Sequence, residues 1–132
     1  MSSWVQKSWG RTKRLHRDER TGTHIIEIDK NGYCSQHKHE NLSNTFYVVE
    51  GKLEILTWEG SGYIQTILEK DEEMTVPAGQ WHRFINRAEK TVCLELYSTP
   101  EHNVDDIVRL DEGGANFDEV GLAKLYETPT KE

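Results

Sequence analysis

The sequence predicts an all-β fold, an antiparallel barrel or sandwich. Three observations carry that expectation. β-rich runs of a few residues recur at close spacing between residues 23 and 98. Turn residues stand between them. Helical spacing of apolar residues shows only after Pro100.

The elements follow in order. Thr23–Asp29 (THIIEID) is a strand, and the Asn31-Gly32 pair behind it is a hairpin signal. Tyr33–His39 leads toward Phe46–Glu50, and Gly51 turns the chain into Leu53–Trp58. The Glu59-Gly60-Ser61-Gly62 turn leads to Tyr63–Leu68, and Asp71-Glu72-Glu73 precedes Met74–Val76. Pro77-Ala78-Gly79 introduces His82–Ile85, and Thr91–Tyr97 completes the set. Phe117, Val120, Ala123 and Leu125 suit one face of a short C-terminal helix capped by Asn116. The first eight residues and the tail from Thr128 are expected to fray. The expected organisation is one domain over residues 1–132, with the barrel at about 23–98 and a C-terminal extension at 99–132.

Composition narrows the function. The chain has 132 residues, 35% hydrophobic and 30% charged, enough for a core. No apolar run approaches the ~20 residues that span a bilayer, so no membrane partner is expected. The net charge of −7 argues against nucleic acid. The start has no apolar signal core, and the two cysteines, Cys34 and Cys93, form no C-x-x-C pair; a cytoplasmic location is expected. Residues 1–22 carry six Lys/Arg against two acids, and residues 99–132 carry nine acids against three Lys/Arg. Solvation or proximity of the two ends is the expected reading of that asymmetry, with a partner-binding arm the alternative.

The histidines point to chemistry. His37-Lys38-His39 sets two imidazoles on one face of a strand. Imidazole is the commonest protein ligand for transition metals. In Pro77-Ala78-Gly79-Gln80-Trp81-His82 a tight turn aims a third imidazole from a strand start. His37, His39 and His82 can form a facing triad with coordination positions left open, as a catalytic metal site requires.

These segments resemble a known family. Gly32…His37-x-His39…Gly51 resembles cupin motif 1, and Pro77-x-Gly79-x-x-His82-x-x-x-Asn86 resembles cupin motif 2. The resemblance implies a double-stranded β-helix (jelly-roll) barrel with one divalent transition metal (Zn, Fe, Mn, Ni or Co) in its mouth. Motif 1 normally supplies a Glu seven residues before its final Gly, and Asn44 stands there, a weaker neutral fourth ligand. Gly32 lies one residue closer to the His pair than usual, and Asp71 replaces the Gly that opens motif 2.

A narrower resemblance is to the mannose-6-phosphate isomerase type II family. Trp9-Gly10 resembles its opening, Asp105-Asp106-Ile107-Val108-Arg109-Leu110-Asp111 its closing segment, and Val76–Arg83 its middle. It implies a sugar or sugar-phosphate substrate, metal-assisted aldose–ketose isomerisation, and Arg109 as a phosphate contact. A structural salt bridge accounts for Arg109 equally well.

Such an isomerase also needs a base, which the sequence does not assign. Glu95 is on the Thr91–Tyr97 strand, but Val92, Leu94 and Leu96 are the expected inward set. Arg83 and Lys38 have outward parity and are expected to be solvated. Tyr33, Ser35, Phe46, Val48 and Phe84 share the face of their nearest histidine and are expected to line a substrate pocket, with ordinary barrel filling the favoured alternative for Phe46 and Phe84. Trp81 falls on the other face and is expected at the barrel rim or a subunit contact. Cys34 has outward parity, and Cys93 reads as a small buried hydrophobe. A three-His Fe(II) dioxygenase for a small anionic substrate and a non-catalytic sugar-binding cupin are the alternatives. Unpaired sheet edges need cover, so a homodimer is expected.

Overall fold

The computed structural model describes residues 3–99 and 106–130. Two antiparallel sheets face each other. One has the order β1-β2-β3-β10-β5-β8: β1 Val5–Lys7, β2 Gly10–Arg17, β3 Thr21–Asp29, β5 Ser43–Glu50, β8 Glu73–Val76 and β10 Lys90–Ser98. The other has the order β11-β4-β9-β6-β7: β4 His37–Lys38, β6 Lys52–Glu59, β7 Gly62–Glu69, β9 His82–Ile85 and β11 Val108–Arg109. This is the jelly-roll arrangement that the spacing of short strands implies.

The main core fills the space between the sheets. Ile26, Ile28, Phe46, Val48, Leu53 and Ile55 are among its fully buried members, and Phe84 is buried beside them. A second cluster covers the outer face of the β4–β9–β6 sheet, where Leu56, Trp58, Trp81 and Ile85 pack under Phe117 and Leu125. The C-terminal extension thus wraps back over the barrel. For that reason β6 is buried on both faces and reads as a near-continuous apolar run.

The extension is clamped by charge. Arg83 donates Nε to the Cys34 carbonyl and Nη1 to the Leu125 carbonyl, each at 3.0 Å, and pairs through Nη2 with Asp111. Arg87 pairs with the buried Glu54, which also accepts from the Tyr126 hydroxyl at 2.7 Å.

Several expectations are corrected. The N-terminal residues form β1 and β2, so the sheet begins before residue 23. Trp9 packs edge-on to Phe84 with centroids 5.0 Å apart. Gly10 has φ +152, and a Cβ there would lie 2.0 Å from the Glu27 carbonyl oxygen, so only glycine lets β2 approach β3. Asn31-Gly32 makes a turn but no hairpin, because β3 pairs with β2 and β10. The helix is split in two: a 3-10 turn at Phe117–Glu119, which Asn116 caps by accepting from the Asp118 N–H, and α1 at Leu122–Leu125. Gly121 at φ +85 breaks them apart, and Val120 is left exposed. Pro100, Asp105 and the last two residues of the tail lie outside the described residues. Among those described, no helix is long and apolar enough to cross a membrane.

Candidate metal centre

β4 and β9 are antiparallel neighbours, and their register sets His37 directly opposite His82. The Pro77–Gly79 turn delivers β9 at this height. Gly79, at φ +84, donates its N–H to the His39 carbonyl at 2.6 Å and ties the turn to the H-x-H segment. At the far end of the motif, Asn86 donates Nδ2 to the Ile28 and Asp29 carbonyls and accepts from Thr91 Oγ1, linking β9 to the other sheet. The Pro, Gly and Asn of the motif thus fix the strand that carries the histidine.

The three imidazoles converge. His37–His82 centroids lie 4.3 Å apart, His37–His39 5.2 Å and His39–His82 5.4 Å. One ring nitrogen from each lies within 4.8 Å of the others, and all three residues are buried. Each Nδ1 meets a backbone carbonyl: Ser35 at 2.7 Å, Asp106 at 2.5 Å and Gln80 at 2.9 Å. Donation from Nδ1 fixes the tautomer and leaves the Nε2 lone pair for a ligand. The Nε2 atoms of His39 and His82 are buried without a hydrogen-bond partner, and so is Asn44 Oδ1. Orphaned buried acceptors are costly unless something binds them. A cation would do so, and the donor set fits a divalent transition metal.

Electrostatics agree. Burial, with the neighbouring imidazoles second, holds the His37 pKa well below its ordinary value. Burial lowers His39 too, and lowers His82 to about 3. The rings are therefore neutral at pH 7, the form that ligates metal.

The opposite sheet contributes a polar trio. Asn44 is fully buried and donates Nδ2 to Glu95 Oε2 at 3.3 Å, and the Tyr97 hydroxyl donates to the same oxygen at 3.1 Å. Burial raises the Glu95 carboxyl above its usual range and pushes the Tyr97 hydroxyl well up. This reverses the parity expected for β10. Thr91, Cys93 and Glu95 are buried, while Leu96 is exposed. Leu94 instead meets Ile25 and Tyr47 on the outer face, where cross-strand apolar pairs stabilise the sheet.

A cleft of about 630 Å³ opens beside the histidines. Ser35, Phe84 and Arg109 line it, as do His37, His39, Glu95 and Tyr97. Ser35 Oγ also lies 3.0 Å from His37 Nδ1. Phe46 is packed in the core with its ring 6.3 Å from that of His82. Tyr33 sits elsewhere: it bridges Ile85 and Gly114 in the outer cluster, beneath the Arg83 guanidinium. Its neighbour Cys34 takes the inward place, accepting from the Phe84 N–H at 3.1 Å, and burial pushes that thiol up to about 12.

Three further expectations change. Arg83 is buried at 3% exposure rather than solvated, because the extension covers it. Lys38 lies 5.1 Å from the Trp81 ring and pairs with Glu40. Trp81 does point away from the cleft, but its cover is the chain's own C-terminal extension. The cleft mouth also draws on residues the sequence did not single out, Gln6 and Lys7 on β1 and Glu112 behind β11. Ser8 Oγ donates to the Glu112 carbonyl at 3.2 Å, so the basic and acidic ends do meet.

Jelly-roll sheets, the H-x-H segment and the P-x-G-x-x-H turn define a cupin barrel. The chain belongs to the cupin family, matching the Cupin domain (Cupin_2) over residues 24–97. Its fold is similar to that of oxalate decarboxylase from Bacillus subtilis, with TM-score 0.72 and 10% identity over 83% of this chain and 30% of that one. KdgF from Halomonas sp. is similar at TM-score 0.65 and 18% identity, over 75% of this chain and 87% of that one. CapF, solved with the inhibitor 3-isopropenyl-tropolone, is similar at TM-score 0.73 and 18% identity, over 84% and 35%. This chain thus spans about a third of the decarboxylase and of CapF. The decarboxylase carries Mn(II) centres. No curated protein sequence matches.

Proposed function

We propose that this cupin holds one divalent transition metal on His37, His39 and His82, with Asn44 as fourth ligand, and interconverts the aldose and ketose forms of a sugar phosphate. One observation carries the reading: a buried carboxylate, Glu95, lines the same cleft as His37 and His39, two members of the three-histidine cluster. The metal supplies Lewis-acid polarisation of the substrate carbonyl. Glu95 moves the proton between the adjacent carbons, held in place by the Tyr97 hydroxyl. Lys7 and Arg109 at the mouth receive the anionic group. Among the described residues neither is in an ion pair, and Lys7 also faces the Glu95 charge while Arg109 faces the His37 ring. The Trp9-Gly10 and Asp105–Asp111 resemblances support the substrate class.

The test is interconversion of mannose 6-phosphate and fructose 6-phosphate by metal-loaded protein. The reading predicts turnover, reduced by about 100-fold or more in Glu95→Gln. Metal-loaded protein inert toward hexose and pentose phosphates contradicts it.

Asn44 favours a second reading. Three neutral imidazoles and an amide leave the full +2 charge on the metal, which suits an Fe(II) dioxygenase for a small anionic substrate. Oxygen uptake after anaerobic iron loading identifies it. Affinity for sugar phosphates without turnover or oxygen uptake marks a sugar-binding cupin.

We also expect a cytoplasmic homodimer. Both cysteines are free and buried, and β7 leaves a sheet edge bearing the exposed Tyr63, Ile64 and Ile67. Light scattering on eluting protein measures the assembly; a monomer at all concentrations contradicts it.

A further inference from the structure

We propose that Glu95 is a positioning residue for Asn44: it captures the amide nitrogen through Oε2 and so turns Asn44 Oδ1 toward the three histidines. The inference rests on the metal-binding reading above and adds to it a carboxylate that acts through an amide.

The hydrogen bonds settle the orientation. Glu95 Oε2 receives two hydrogens, from Asn44 Nδ2 at 3.3 Å and from the Tyr97 hydroxyl at 3.1 Å. An oxygen receiving both offers no proton in return, so only the NH₂ side of the amide can face it. Asn44 Oδ1 must then point the other way, and there it is buried without a partner, as are His39 Nε2 and His82 Nε2. The strand register enforces this. Asn44 on β5 is opposite Tyr97 on β10, and Glu95 follows on the same inward face.

Among the described His, Cys, Asp and Glu residues the donor cluster comprises the three histidines, and Glu95 stands outside it. It therefore influences the ion at one remove. A carboxylate accepting from Nδ2 draws the amide toward its charge-separated resonance form and makes Oδ1 a better ligand. Groups that orient and polarise a ligand in this way are worth roughly 10–100-fold in metal affinity. The pair thereby returns to the site part of what the Asn at the motif's Glu position removes.

Co(II) titration of the full chain, followed by visible absorption and by competition with a chelating dye, tests this. The parent binds one Co(II). Asn44→Ala alters the absorption spectrum and weakens binding about 10-fold. Glu95→Leu reproduces both changes, and the double variant is no weaker than either single one. Glu95→Gln retains the parent spectrum, because its Oε1 still accepts from Nδ2. Should Glu95→Leu fail to fold, Glu95→Ala is read in the same way. A Glu95→Leu or Glu95→Ala protein with parent spectrum and affinity overturns the role of Glu95. A parent chain that binds no Co(II) overturns the metal reading beneath it.

Discussion

His37 and His82 stand directly opposite each other on antiparallel strands β4 and β9, with ring centroids 4.3 Å apart. The two residues come from different cupin motifs, 45 positions apart in the sequence. The ladder between β4 and β9 brings them to one point. Either ring alone is a buried neutral imidazole; together with His39 they leave buried lone pairs that call for a cation.

That arrangement carries a pH dependence. In metal-free protein His82 titrates at about 3, while in the unfolded chain it titrates near its ordinary 6.5. The unfolded state therefore binds more protons below pH 6.5, and stability falls as pH drops from 6.5 toward 3. Glu95 works in the opposite sense: its raised pKa makes its burial costlier as pH rises above 4.5. Comparing chelator-treated parent with His82→Gln isolates the histidine. The parent's urea midpoint falls relative to the variant's from pH 7 to pH 5; a parent that gains on the variant over that range contradicts the assignment.

Arg83 anchors the extension. Its guanidinium serves the Cys34 and Leu125 carbonyls and Asp111, and it is almost wholly buried. Arg83→Met removes the charge and strands those acceptors. We expect a loss of about 3 kcal/mol in chemical denaturation. Asp111→Asn, at a side chain 41% exposed, costs less.

Tyr126 holds the same extension through the buried Glu54. Tyr126→Phe removes the 2.7 Å bond to Glu54 Oε2 and is expected to destabilise by about 2 kcal/mol. Thermal melts measure it, and an unchanged melting point shows that the extension is held without this bond.

Gly10 tests the Trp-Gly segment. Gly10→Ala forces a methyl to 2.0 Å from the Glu27 carbonyl oxygen. The strands must separate, at an expected cost above about 2 kcal/mol, with Trp9 fluorescence shifting as its ring leaves Phe84. Parent-like stability and emission contradict the account of this approach.

Much of this is legible in the sequence. H-x-H in a strand and P-x-G-x-x-H after a turn are local patterns that mark the three rings, and the β4–β9 ladder then brings them together. The strand runs from residue 43 to 98 are legible for the same reason. Glu95 is not, because apolar residues mark the core only where the inner face is apolar. On β10 the inner face carries the polar trio, and the outer face is apolar through its contacts with Ile25 and Tyr47. Arg83 and Trp81 look outward correctly, yet the returning extension covers them, a long-range fact no strand period encodes. β1 and β2 are hidden by five Lys and Arg residues, which leave these strands largely exposed and without an apolar alternation. Asn31-Gly32 carries a hairpin signal, but β3 finds its partners in β2 and β10 instead.

Metal content tests the central claim most directly. Elemental mass spectrometry on tag-free protein, never exposed to nickel resin or chelator, should give one transition metal per chain. His37→Ala and His82→Ala should each lose it, and Asn44→Ala should hold it more weakly. A parent chain with no metal and none taken up on reconstitution, or histidine variants that retain it in full, would contradict the account.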